Sequence, residues 1–405
     1  MAHFVFLTHG FFPDSDANIS CTYNVMAELL KSGDSVTCIC GAKTGYDKEE
    51  IIKGVRVIRV RYVPYMYVLN KQKNLFGKVM VRLLHTLKSV LVWNLFPDVE
   101  PEFTKRLYKS LVCLNEAATI DCVIGVFRPY STIEAALRFG KNNPKVKTVG
   151  WYLDVLKGAV KPSFVTQGYY EKLCDKREPI ILDSLNEIIM PGHARHYYED
   201  YPERIKNKMS YVEFPTLVVK EEETPKLRNS IFCSLLYAGS FDKIYRNPVP
   251  LFETLIKLNE KVPVEFHYYG GSNMEETIHE YSQKYPFIIC HGYAEKQVVE
   301  NAVSKASLMV SVGNNIKGIV PSKIFELFST LKPIVHFTDG EIDGTLPYFE
   351  KYPNVCVLNK TDDSSVNADK LFTFLKVANK IISRQLILET YPEANPENIC
   401  KLLKN

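Results

Sequence analysis

The segment 320–337, VPSKIFELFSTLKPIVHF, carries the residues best suited to chemistry. Pro321 presets φ for a first helical turn, and Ser322 brings a hydroxyl and a backbone N–H to the helix start. Unpaired N–H groups and the helix dipole make such a start an anion site. Lys323 adds a mobile positive charge. Glu326 lies on the same face as Ser322, about one turn (~6 Å) further along. The set suits a nucleotide diphosphate, with the helix start and Lys323 taking the phosphates and Glu326 accepting from ribose hydroxyls. A Ser at a helix start with a Glu in the first turn is also ordinary helix chemistry that needs no ligand. Lys332-Pro333 then stops the helix and leads into an apolar strand at 334–337.

The elements that must position these groups form two α/β series. In the first, apolar runs at 4–8, 35–40, 55–60, 122–126, 148–152 and 187–190 read as strands. A helical pattern at 22–31 ends at Gly33, and Pro191-Gly192 is a punctuating turn. The stretch 219–229, VKEEETPKLRN, is charged and Pro-containing and reads as a linker. The second series has strands at 234–238, 264–268, 288–290, 308–312, 334–337 and 355–358, with helices at 249–258, 273–285, 295–304 and 322–330. The end, 369–401, is helical with a break at 391–396. This is an α/β chain of two doubly wound, Rossmann-like domains expected to face each other across a cleft. The boundaries read as 1–218 and 219–380, followed by a helical segment at 381–405.

A length of 405 residues suits two or three domains, and 46% hydrophobic with 24% charged residues suits a globular protein. The chain opens directly on an apolar strand, without the pattern of a signal segment. No apolar run approaches the roughly 18 residues that span a bilayer. The ten cysteines are scattered. Only Cys38 and Cys40 lie close, on one face of a strand, and no C-x-x-C spacing occurs. A reducing cytoplasm is therefore the expected compartment.

The net charge of +4 is unevenly spread. Residues 51–97 contain no Asp or Glu, but they include Lys53, Arg56, Arg59, Arg61, Lys71, Lys73, Lys78, Arg82 and Lys88. A helical pattern places Lys78, Arg82, His85 and Ser89 on one face, and Val79, Met80, Leu83, Leu84, Leu87, Val90 and Leu91 over the rest. Such a helix fits an anionic membrane surface, or it docks its apolar face into its own domain. Nucleic acid is not expected as a partner, because the patch lacks a recognisable binding module.

The run Pro321, Ser322, Lys323, Ile324, Phe325, Glu326, followed by Lys332-Pro333-Ile334, resembles the donor-site helix of GT-B nucleotide-sugar glycosyltransferases. It is most similar to the family 4-like group, whose members often carry P-S-K-[IL]-[FY]-E and then K-P-[IV]. Many of them have a second Glu eight residues before the first; that place here is Gly318. The opening THGFFPDSDANIS is similar to the family's first donor-facing loop, with Ala17-Asn18 where two glycines are common. LLYAGSFDKIYRNP resembles the start of the second domain, where basic residues meet the diphosphate, and Arg246 is the candidate. FHYYGGSN, with Gly271, and CHGY, with Tyr293, resemble the Gly turn near the donor and the segment that reads the base.

The resemblance implies a hexosyltransferase that takes a nucleotide-diphosphate sugar, with UDP or GDP the expected carrier and no separate cofactor. The expected acceptor is a glycan or polyprenyl-linked saccharide of surface polysaccharide synthesis. It also implies a retaining reaction, and a final helix that returns to the first domain. Metal independence is expected, because Ser322, Lys323 and Arg246 can neutralise the leaving phosphates and the nine histidines show no ligand spacing. Asp14-x-Asp16 reads as a solvated turn. Asp154, in WYLD at the end of a first-domain strand, is the candidate to steer or deprotonate the acceptor, with capping as its alternative role. His193 is a weaker candidate. A catalytically silent scaffold and a nucleotide-sugar epimerase of the same fold are the rival functions.

Overall fold

The computed structural model describes residues 1–14, 16–42, 45–62, 65–157, 161, 164–219, 233–314, 320–378 and 381–405, the side chains of Met66, Tyr67, Asn70 and Glu341 excepted. Most of the expected linker, Gly318 and most of the loop at 312–319 lie outside the described residues. The chain divides into two compact units, Met1–Thr216 with Glu393–Asn405, and Leu217–Pro392. The expected boundaries at 218 and 380 differ from these, and the return to the first unit begins at Glu393 rather than 381.

In the first unit the chain runs β1 (His3–Thr8), α1 (Ala17–Lys31), β2 (Ser35–Ala42), β3 (Glu49–Ile52), β4 (Val55–Arg61), α2 (Tyr65–Asn70) and α3 (Leu75–Val92). Then follow α4 (Pro101–Ala117), β5 (Cys122–Phe127), α5 (Ser131–Asn142), β6 (Lys147–Tyr152), α6 (Gln167–Asp183), β7 (Glu187–Pro191), α7 (Glu203–Lys206) and β8 (Met209–Val212). The sheet order is β3-β4-β2-β1-β5-β6-β7-β8. All pairings are parallel except the β3–β4 hairpin, which turns at Lys53 (φ 50°) and Gly54 (φ 85°). Period-two alternation explains the layering. Phe4 and Phe6 of β1 join Ile19, Val25 and Leu29 of α1 on one side. Val5 and Leu7 join Leu107 and Leu111 of α4 and Phe139 of α5 on the other. Cys38 and Cys40 are both buried on the first of these faces.

Three elements differ from expectation. The run at 55–60 is preceded by the short strand β3, whose glutamates, Glu49 exposed and Glu50 half-buried, hide its pattern. Strand β8 was not foreseen either. Helix α1 begins at Ala17 instead of 22, because Asp16 caps it by accepting from the Ile19 N–H at 2.8 Å.

In the second unit the elements are β9 (Cys233–Ala238), α8 (Val249–Asn259), β10 (Val264–Tyr269), α9 (Glu275–Lys284), β11 (Ile288–Gly292), α10 (Lys296–Lys305), β12 (Leu308–Val312) and α11 (Lys323–Phe328). They continue with β13 (Ile334–Thr338), α12 (Leu346–Lys351), β14 (Val355–Asn359), α13 (Ser364–Val377) and α14 (Arg384–Thr390). This sheet is wholly parallel, in the order β11-β10-β9-β12-β13-β14. The last helix, α15 (Pro396–Lys404), belongs to the first unit, where Ile399, Cys400 and Leu403 enter the same core face as α1.

Candidate functional site

Open doubly wound sheets bind ligands at the carboxyl ends of their strands, where the winding reverses. In the second sheet that point lies between β9 and β12. The loop after β9 forms a small bridge between Asp242 and Arg246. From it, Arg246 Nε donates to Asn314 Oδ1 at 2.5 Å, just past the end of β12, and one terminal nitrogen donates to Ser240 Oγ at 3.4 Å. The guanidinium is thus held at the switch point by neutral partners, which leaves its positive charge uncompensated by them.

The backbone beneath Arg246 is tightly fixed. A Cβ on Gly270 (φ 154°) would come within 1.9 Å of the Gly239 carbonyl oxygen, so the ends of β9 and β10 approach this closely because Gly270 lacks a side chain. Gly271, the residue expected to matter, is in open space and tolerates a Cβ. On the far side of β12, a Cβ on Gly313 would strike the Asp343 carboxylate. Asp343 pairs with the buried His336 at 2.9 Å and accepts from the Thr345 hydroxyl at 2.6 Å. Burial holds His336 below its ordinary range even though Asp343 pulls the other way, so the imidazole is neutral at neutral pH. Lys360 Nζ also donates to the Gly313 carbonyl, at 2.8 Å, and pairs with Asp339 at 2.5 Å. Gly313-Asn314 is therefore clamped by Arg246, Lys360 and the Asp343 wall. Arg246 was marked by the resemblance, whereas Lys360 and Asp343 carry no sequence signature; the three come from the loops after β9, β14 and β13.

Beyond Gly313-Asn314 the chain re-enters the described residues at Val320 and starts α11. The helix has only six residues and begins at Lys323. Ser322 already has helical dihedrals (φ −55°, ψ −28°), and its side chain makes no capping bond to the helix. The expected role of the dipole is correspondingly small, and an anion bound here would depend more on the cations. Lys323 is exposed. Glu326 is exposed by surface area, yet packed atoms around its carboxyl raise its pKa, with Lys323 and Lys296 pulling it back down. Phe325 and Phe328 anchor the buried side of this short helix. At the sheet edge, Tyr293 is 90% exposed just past β11.

The first sheet reverses between β1 and β5. Here the helix start is already occupied by an anion. Asp16 accepts from the Ile19 N–H, and its other oxygen meets His9 Nε2 at 2.7 Å. Burial works against this carboxylate, but the bonds from His9, Ile19 and the Asn18 N–H outweigh it and lower its pKa. Asp16 is thus a helix cap, not a solvated turn, and Asn18 sits in the first turn with its N–H turned to that cap. Asp14 accepts from the Tyr46 hydroxyl at 3.2 Å.

Asp154, past the end of β6, pairs with Arg128 from the end of β5 at 2.5 Å and accepts from the Val155 N–H at 2.8 Å. Arg128 was not anticipated by sequence reasoning. His193, in the turn after β7, feels the Asp154 charge, but burial still lowers its pKa. Its Nδ1 is buried with no hydrogen-bond partner among the described residues. A neutral imidazole, a carboxylate and a guanidinium therefore gather at the carboxyl ends of three adjacent strands, a set able to bind and polarise a hydroxyl. Among the described residues no three His, Cys, Asp or Glu side chains converge to hold a metal ion.

No family model matches the chain, and no curated protein matches its sequence. Solved structures do match in fold. A glycosyltransferase from Rickettsia africae aligns over 99% of this chain and 98% of its own, with a TM-score of 0.58 at 12% identity. The apo form of the lipopolysaccharide outer core galactosyltransferase WaaB aligns over 100% of both chains, with a TM-score of 0.51 at 12% identity. A trehalose-6-phosphate structure from E. coli, bound with UDP-2-fluoro glucose, aligns over 99% of this chain and 96% of its own, with a TM-score of 0.52 at 9% identity. The architecture is that of these proteins: two parallel-stranded α/β units, the GT-B fold.

Proposed function

We propose that this protein is a glycosyltransferase that moves a hexose from a nucleotide-diphosphate sugar, with UDP or GDP as carrier, to a glycan or polyprenyl-linked acceptor of surface polysaccharide synthesis. The observation that carries this reading is Arg246 held by Asn314 and Ser240 at the switch point of the second sheet. The P-S-K-x-x-E run re-enters shortly after that loop. The diphosphate sits against Arg246, Lys323 and the N–H groups around Ser322, and these groups supply the charge neutralisation a metal would otherwise give. Glu326 accepts from the ribose, whose hydroxyls would offset the burial that raises its pKa. Tyr293 offers an exposed ring and backbone beside the base. In the first unit, Asp154 orients the acceptor hydroxyl.

In the transfer step the acceptor oxygen bonds to the anomeric carbon while the bond from that carbon to the β-phosphate oxygen breaks. The electron pair leaves on the phosphate, and the acceptor proton passes to the phosphate or to Asp154. We assign retention of anomeric configuration, as in the family the motif resembles. The lipopolysaccharide enzyme and the UDP-2-fluoro glucose complex among the structural neighbours favour this donor and acceptor class.

Thermal stabilisation by UDP, GDP, CMP and dTDP tests the reading. A nucleotide at a hundred times its Kd adds about 2.7 kcal/mol. One nucleotide should stabilise the protein, and Glu326→Ala should reduce that shift. Stabilisation by none of them would point to the silent scaffold instead.

A further inference from the structure

Helix α3 is seated the wrong way round for a protein in water. It has 18 residues and none of them is buried. The half-covered ones are Gly77, Val81, His85, Ser89 and Val92, one narrow stripe of mostly small or polar side chains. The ring of Tyr65 stacks on His85 at 3.8 Å, which fixes this stripe as the seated side. The wide apolar face looks outward: Phe76, Met80, Leu83, Leu84, Leu87 and Leu91 are between 42% and 79% exposed. Isolated exposed leucines are common, but a contiguous stripe of this length marks a surface with a partner.

The charges around the stripe identify that partner. Arg82 borders it on one side, with Lys78 a turn earlier, and Lys88 borders it on the other while also reaching Glu100 at 2.5 Å. Lys73 and Arg61 are exposed in the segment leading in. A second copy of the chain pairing through the same face would bring these bases against their own counterparts. Glu100 answers Lys88, and residues 51–97 contain no acid for the other bases. An anionic lipid surface answers both features, since phospholipid headgroups meet the bases and acyl chains take the apolar face. Among the described residues no helix is long and apolar enough to cross a membrane.

We propose that α3 lies in the plane of an anionic membrane, its outward face entering the boundary between headgroups and acyl chains, and anchors the first unit there. This extends the sugar-transfer reading and rests on it only for why a lipid-linked acceptor would be near. Flotation with phosphatidylcholine vesicles, with and without a large fraction of phosphatidylglycerol, tests it. The wild type should float with the anionic vesicles, less so at high salt. Leu83→Ser with Leu84→Ser and Leu87→Ser should weaken binding on the order of a hundredfold. Lys78→Ala with Arg82→Ala should weaken it about thirtyfold, at roughly 1 kcal/mol for each basic residue. Circular dichroism of each variant verifies the fold.

Unchanged flotation of the leucine variant would overturn the proposal. So would a wild-type dimer in solution that this variant dissolves into monomers, since the face would then be covered by a second copy. Lys323→Ala should float like the wild type while losing nucleotide affinity. A wild type that binds nucleotide but does not float with the anionic vesicles therefore condemns the membrane proposal alone.

Discussion

At the switch point of the second sheet, Arg246 stands over a glycine contact between two strand ends, and a six-residue helix starts nearby. At the switch point of the first, the much longer helix α1 starts beside His9 and is already capped by Asp16. Helix length alone would assign phosphate binding to the first sheet. Side-chain charge favours the second, as proposed above. A dipole is worth a fraction of a kcal/mol to about 1 kcal/mol when exposed, and at α1 the capping carboxylate of Asp16 has already used it. A guanidinium held by neutral partners keeps its charge available to a ligand. The two sheets share a winding rule and differ in local charge.

The largest expected effect tests the glycine contact in the second unit. Gly270→Ala adds a Cβ where backbone stands at 1.9 Å and φ is 154°, so it should destabilise by about 3 kcal/mol or more. Gly271→Ala, one residue on and in open space, should change stability by no more than about 0.5 kcal/mol. Chemical denaturation of the two variants reads the difference, and equal losses would refute the close-contact account.

A comparable effect belongs to the first unit. Glu178 in α6 is fully buried, and burial pushes its carboxyl up to about 7, although Tyr201 and Tyr198 both donate to it and partly oppose the shift. Its unfolded value is the ordinary 4.5. Between those values the folded chain keeps a proton that the unfolded chain has lost. Stability from this group therefore falls as pH rises from 4.5 to about 7 and then levels off. Glu178→Gln should remove the penalty, gaining about 3 kcal/mol at mildly alkaline pH and nearly nothing at the acid end of the window. Denaturation curves across that range read the gap, and a gap independent of pH would contradict the assignment.

Smaller effects sharpen the contrast between switch points. Arg246→Ala should cost about 2 kcal/mol of nucleotide affinity, roughly thirtyfold, with little change in melting temperature without nucleotide. Asp16→Ala should do the opposite, lowering stability by about 1 kcal/mol through loss of the α1 cap while nucleotide affinity holds. Calorimetric titration and thermal melts of both variants decide the point. A nucleotide that loses affinity with Asp16→Ala but not with Arg246→Ala would reverse the assignment of the two sheets.

Much of this molecule was legible in the order of its residues. Short apolar runs alternating with helical patterns predicted most of the strands, because a buried parallel strand must be apolar on both faces. Strand β3 escaped, since an edge hairpin needs burial on one side only and its glutamates broke the run. The start of α1 escaped because a capping Asp looks the same in sequence as a loop Asp. At the candidate site, Arg246, Ser322, Lys323 and Glu326 were visible as a motif and its companion. Asn314, Lys360, Asp343 and Arg128 were not, because each acts through a partner distant in sequence, as Asn314 does with Arg246 across 68 residues.

The sequence by itself determined the winding, the P-S-K-x-x-E run at the start of α11 and the amphipathic character of α3, since these follow from local propensity, periodicity and residue type. Only the tertiary structure decided which side of α3 faces out, which of Gly270 and Gly271 cannot take a side chain and which helix start is capped by a carboxylate. Periodicity tells a helix that it has two faces. What the rest of the chain packs against decides which of them it keeps.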